Sequence, residues 1–172
     1  MNETQLYELI AQLNAKENVQ TSNNSIRWRA HRTVECISDA SVFAILMRII
    51  EQNHQQKNKD IRRAAYYIIG TVLHTFFRKE ACIFLIQKLG EERDTNIISE
   101  ILDRISCVTI QDDIDISLIV TYSKSKKWQI RHSAIRALGS VATKKAGMLF
   151  RTILTKMMRR NTNMRSFIQM LH

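Results

Sequence analysis

Apolar residues in this chain recur three and four positions apart, in blocks of about a dozen residues divided by short polar stretches. That spacing marks one face of an α-helix at about 100° per residue. In WQIRHSAIRALGSVA (128–142) the apolar positions are Ile130, Ala134, Ala137, Leu138 and Val141. An Arg follows the first of them, and a Gly stands nine residues after it. The arrangement recurs upstream, where Ile61-Arg62 aligns with Ile130-Arg131, Ala65 with Ala134 and Gly70 with Gly139. Ile26, Arg27 and Ala30 fall in register one step earlier, and Met164, Arg165 and Ile168 one step later. The intermediate step, anchored at Thr95, keeps Leu102 and Ile105 but has Asn96 where the others have Arg.

A second helical block precedes each of these segments, at 3–13, 41–52, 79–89, 112–122 and 146–158. Ser25, Asp60, Asp94 and Asn163 stand directly before the second helices, and these residue types cap helix N-termini. The pattern predicts an all-α chain of five helix–turn–helix units, approximately 3–38, 41–77, 79–107, 112–142 and 146–172, forming one domain over 1–172. Units of this size cannot bury an apolar face alone, so neighbours must stack on one another.

An apolar residue, Arg, two variable residues, Ala, an apolar pair and a terminal Gly resembles the second helix of a HEAT repeat. The likeness is to the short-repeat HEAT-like proteins related to phycobilisome lyase subunits. It covers nearly the whole chain, with its strongest matches in the second and fourth units and its weakest in the third. The inter-helix Asp frequent in that family is replaced by Gln56, Gly90, Ser125 and Arg159. The resemblance implies a right-handed α-solenoid of about five HEAT-like repeats that binds along a concave face lined by the second helices. Arg27, Arg62, Arg131 and Arg165 are expected to be structural, with stems packed beside the apolar stripe and heads reaching loop carbonyls or neighbouring acids. The Gly nine positions after the anchor is expected to spare room on the inner side of the curve.

Composition supports the helical reading. The 172 residues include no Pro and four Gly, where about eight Pro would be usual. Three dispersed cysteines without a CxxC spacing suggest free thiols in a reducing, cytoplasmic setting. The polar, acidic start is unlike a secretory signal, and no apolar run approaches the ~20 residues of a membrane span.

Charge changes the picture more. The net charge is +10. Residues 1–122 carry 14 Lys+Arg against 16 Asp+Glu, a balance of −2, and residues 123–172 carry 12 Lys+Arg and no acid, a balance of +12. A basic C-terminal half points to an anionic partner.

Positions two and six after each anchor are expected to face away from the core. They hold Trp28 and Arg32, Arg63 and Tyr67, Ile97 and Ile101, His132 and Arg136, and Ser166 and Met170. Arginine with aromatic residues is typical of contact hot spots, so Trp28, Arg32, Arg63, Tyr67, His132 and Arg136 are the expected partner-binding row. Lys124, Lys126, Lys127, Arg159 and Arg160 lie in two connectors and are expected to form a basic rim. No metal-ligand spacing, phosphate loop or nucleophile motif occurs, and no cofactor is expected. The acids of DDIDI (112–116) are read as the start of a helix, where they suit the dipole.

The expected function is a non-enzymatic binding or scaffold module. It would engage a macromolecular partner, protein first, through the concave face and the basic half. The alternative is a nucleic-acid-binding protein, with a DNA-glycosylase-like repair enzyme as its extension. Such an enzyme needs an acid in a basic, aromatic cleft, and Glu35, near Trp28 and Arg32, is the acid the row offers. The apolar Met157, Met158, Phe167, Met170 and Leu171 raise self-association through the C-terminal helices.

Overall fold

A computed structural model describes residues 1–18, 21–141 and Thr155. Apart from Thr155, the expected fifth unit, including Arg159, Arg160 and Arg165, lies outside the described residues, as does the expected C-terminal contact surface. The described residues are all-α, with eight helices and no strand beyond an isolated bridge between Ile110 and Val141. The helices are α1 (Glu3–Leu13), α2 (Ile26–Glu35), α3 (Val42–Gln52), α4 (Lys59–Thr75), α5 (Lys79–Glu91), α6 (Thr95–Ile105), α7 (Ser117–Tyr122) and α8 (Trp128–Gly139).

The helices pack in sequence order. Within units, α1 packs on α2, α3 on α4, α5 on α6 and α7 on α8. Between units, α2, α4, α6 and α8 touch in succession, and so do α3, α5 and α7. The apolar stripes meet between these two layers, where Leu6, Ile10, Leu46, Ile49, Ile69, Leu85 and Leu89 are buried to 2 % exposure or less. Ala30, Ala65 and Ala134, four positions after their anchors, are fully buried.

Side-chain caps set three of the eight described helix starts. Asn2 and Gln5 form a reciprocal capping box on α1, each side chain accepting the other's backbone N–H at 2.9 Å. Ser25 Oγ accepts the Trp28 N–H at 3.0 Å, and Asp94 Oδ1 accepts those of Asn96 and Ile97 at 2.9 and 3.3 Å. Asp60 does not cap, because α4 already begins at Lys59 and Asp60 sits in its first turn.

Two expectations are corrected. The DDIDI acids do not begin a helix. The Asp115 carboxylate accepts the Ser117 backbone N–H at 2.9 Å and its hydroxyl at 2.6 Å, while Asp113 pairs with Lys79. This local turn competes with the helix and delays α7 to Ser117. In α6 the register is shifted by two residues. Ile97, Ile101 and Ile105 are buried to 1 % exposure or less, so Ile97 rather than Thr95 is the anchor, and Ile97 and Ile101 do not face outward.

The repeated arginine has one visible job at two sites. Arg62 donates to the carbonyls of Asn53 and Gln55 at 2.8 and 2.7 Å, and Arg131 to that of Ser125 at 2.7 Å. Both clasp the connector that precedes their own helix. Arg62 also meets Glu92 at 2.7 Å with both side chains under 8 % exposed, and Tyr66 donates to the same carboxylate at 3.0 Å. Arg27 departs from this role and stays exposed.

Gly70 shows what its missing side chain allows. A Cβ there would fall 2.2 Å from Arg104 Cβ and 2.3 Å from its Cγ. The room on α4 is filled by the aliphatic stem of Arg104 from α6.

Candidate functional site

A groove of about 750 Å3 crosses α2, α4, α6 and α8, with Leu13 of α1 and its C-cap residue Asn14 also in the lining. It is built by the helices that touch in succession. α2 contributes Arg27 and His31, and α4 contributes Arg63, Ala64 and Tyr67. From α6 come Asn96, Ser99, Glu100 and Asp103, and from α8 Trp128, Gln129, His132, Ser133 and Arg136. Asn14 also braces the wall, donating to the carbonyls of Ile10 and Asp60 at 3.1 Å each.

The lining is polar and ordered by contacts within it. His31 Nδ1 and the Tyr67 hydroxyl share a 2.8 Å hydrogen bond, with the rings edge to face at 4.8 Å. Burial, aided by the charges of Arg27 and Arg104, pushes the His31 imidazole below its ordinary value and favours the neutral ring. Burial raises the Tyr67 phenol, so it stays protonated at neutral pH. The Arg104 guanidinium lies 5.0 Å over the Tyr67 ring, a cation–π contact.

α6 brings two acids, Glu100 and Asp103, to the lining. Asp103 pairs with Arg136 at 3.3 Å. The Glu100 carboxyl is pushed up by burial, opposed by the charges of Arg104 and Arg63. Arg104 Nε lies 2.9 Å from Glu100 Oε1 but out of hydrogen-bond alignment, so both atoms are buried without a hydrogen bond. The Ser99 hydroxyl is also buried without a partner. Among the described residues, the Arg27 and Arg63 side chains make no hydrogen bond or ion pair.

Four residues of the expected row, Arg63, Tyr67, His132 and Arg136, line the groove. Trp28 and Arg32 do not. They lie on another face of α2, where Trp28 is 47 % exposed, Arg32 sits 5.8 Å over its ring, and Arg32 pairs with Glu35 at 2.6 Å. The physical reason is the position of α2 at the end of the row. Only Ala30 and Val34 of α2 are buried, and the helix turns so that Arg27 and His31, one residue before the expected positions, face the groove. Glu35 is therefore outside the groove, and the acids within it are Glu100 and Asp103.

Of the basic rim, Lys124 and Lys126 are exposed, while Lys127 donates to Thr95 Oγ1 at 2.6 Å and ties the α7–α8 connector to α6. Arg159 and Arg160 lie outside the described residues. The sequence gives Arg27 a structural role first and a ligand-binding one second, and it does not single out His31, Ser99, Glu100 or Asp103. The isoleucine stripe at 97, 98, 101 and 105 was the signal for the three on α6, because anchoring on Ile97 places them on the groove face.

Among the described residues, no three His, Cys, Asp or Glu side chains converge to hold a metal, and no helix is long and apolar enough to cross a membrane. The buried Cys82 thiol is pushed up to about 11, while Cys36 and Cys107 are exposed. The chain matches no known protein family, no curated protein and no solved structure.

Proposed function

We propose that this chain is a right-handed HEAT-like solenoid serving as a non-enzymatic binding module, with its groove as the contact surface for a macromolecular partner. The successive contacts within each helix layer and the shared connector clasp of Arg62 and Arg131 support the repeat reading. One observation carries the binding reading. Arg27 and Arg63, without ion pairs among the described residues, line the same groove as Tyr67 and the 65 % exposed Trp128. Unpaired guanidiniums beside aromatic faces suit an anionic chain that also offers something to stack. A partner with an anionic backbone fits this lining better than the protein partner that the sequence favours. The basic balance of residues 123–172 adds long-range attraction of the same sign.

The test is capture from cell extract with the wild type and with Arg63→Ala/Trp128→Ala. Both side chains are exposed, so the double variant keeps its melting temperature. It is expected to lose the species that the wild type retains. An unchanged captured set would remove the groove from the function.

A further inference from the structure

We infer that the groove binds a single strand of nucleic acid and reads one of its bases with the Glu100 carboxylate. This inference rests on the groove as contact surface and adds the class of partner and the residue that discriminates.

The acid is the feature to explain. Beyond its place beside Arg104, a carboxylate in the lining weakens a groove meant only for anions. Glu100 lines the groove with its side chain 25 % exposed; its Oε1 lies 2.9 Å from Arg104 Nε without hydrogen-bond alignment, and no described residue donates a hydrogen bond to the carboxylate. The adjacent Ser99 hydroxyl is buried and also unpartnered. Buried polar atoms without hydrogen-bond partners are rare, and here two of them belong to neighbouring residues of the groove lining, where a ligand that reaches the exposed part of Glu100 can supply donors. The partner must therefore carry negative charge for Arg27 and Arg63 and hydrogen-bond donors for Glu100. An acidic peptide supplies the first, but its carboxylates repel Glu100. A basic peptide supplies the second and is repelled by the arginines. A single nucleic-acid strand supplies both, with phosphates along its backbone and N–H groups on its base edges. Its bases also stack on aromatic rings, here Tyr67 and Trp128.

Size agrees. About 750 Å3 is within the range of ligand clefts, about 300–1,000 Å3. A cleft of this size holds a nucleotide or two of an open strand, whose bases are free to enter it. Donor geometry selects the base. Guanine presents its N1–H and N2 amino group side by side, a pair that a carboxylate accepts together. Thymine offers one N–H between two carbonyls that a carboxylate repels.

The experiment is fluorescence anisotropy at low salt on the full chain. The probes are a labelled oligothymidine, the same strand with one central guanine, its duplex, and a labelled polyglutamate peptide. The guanine strand is expected to bind about tenfold tighter than oligothymidine, the size of one good carboxylate–base pair. Glu100→Gln is expected to abolish that preference while general strand binding persists. Ser99→Ala, which removes a hydroxyl without a hydrogen-bond partner among the described residues, is expected to keep the fold and weaken the preference, so the test survives if Glu100→Gln is unstable. Equal binding of duplex, no preference for guanine, or a preference unchanged in Glu100→Gln would overturn the inference. Binding of polyglutamate alone, lost in Arg27→Ala/Arg63→Ala, would overturn it yet leave the groove as the contact surface. Strand binding unaffected by Arg27→Ala/Arg63→Ala would instead count against the groove itself, and no binding of any probe would overturn the inference.

Discussion

Three residues show how single side chains divide between holding the scaffold and shaping the groove. Glu92 is the anion for two buried donors, Arg62 and Tyr66. Removing it strands a guanidinium away from water, and breaking a buried pair from one side costs about 3–5 kcal/mol. Glu92→Ala is expected to lower the urea midpoint accordingly, and a loss under ~1 kcal/mol would show that water replaces the carboxylate. Gly70 acts through space. Gly70→Ala gains ~1 kcal/mol of helix propensity, but its Cβ collides with the Cβ of Arg104, an atom that cannot swing away. Overpacking of this kind costs about 1–3 kcal/mol, and a net fall in melting temperature is expected. His31 sets a pH dependence. Its titration in the folded protein lies below the ordinary 6.5, so below that pH the unfolded chain binds more protons than the folded one. Stability is therefore full above about pH 7 and falls as the pH drops through the window below 6.5, and His31→Gln is expected to flatten that slope.

At the scale of elements, helix identity was legible in the chain and helix limits were less so. Block 3–13 matches α1, and 41–52 and 79–89 match α3 and α5 within two residues, because long amphipathic stripes override weak end signals. Block 112–122 failed at its start. Its acids satisfy the composition of a helix N-terminus, but the Asp115 side chain satisfies the backbone in a turn instead. The two-residue slip in α6 came from aligning on a polar residue, Thr95, when Ile97 carried the buried face. Asp94 caps α6, as its place directly before the helix predicts, and Asp94→Ala is expected to cost about 1 kcal/mol in chemical denaturation. It is also expected to loosen the start of α6, the helix that supplies the groove's acids.

For the whole molecule, the groove depends on four helices drawn from four units, and no local pattern could show which faces converge. Arg63, Tyr67, His132 and Arg136 were legible because α4 and α8 follow the repeat closely. Trp28 and Arg32 were misplaced because α2 has a neighbour in the second layer on one side only and turns to suit it. The charge division along the chain bears on the same scale. If Arg27 and Arg63 each neutralise one phosphate, single-strand affinity falls at least about sevenfold between about 50 and about 200 mM salt. A flat salt response would separate binding from charge.

The stem of Arg104 lying in the notch at Gly70 has a consequence for descent. One end of this side chain spaces two helices, and the other end sits between the Tyr67 ring and the Glu100 carboxylate. Drift at position 70 is therefore not free of the groove. A relative with a larger residue at 70 needs a smaller one at 104, and with that change it forfeits the cation beside Glu100. Positions 70, 100 and 104 are expected to vary together across relatives, which would inherit architecture and specificity as one trait.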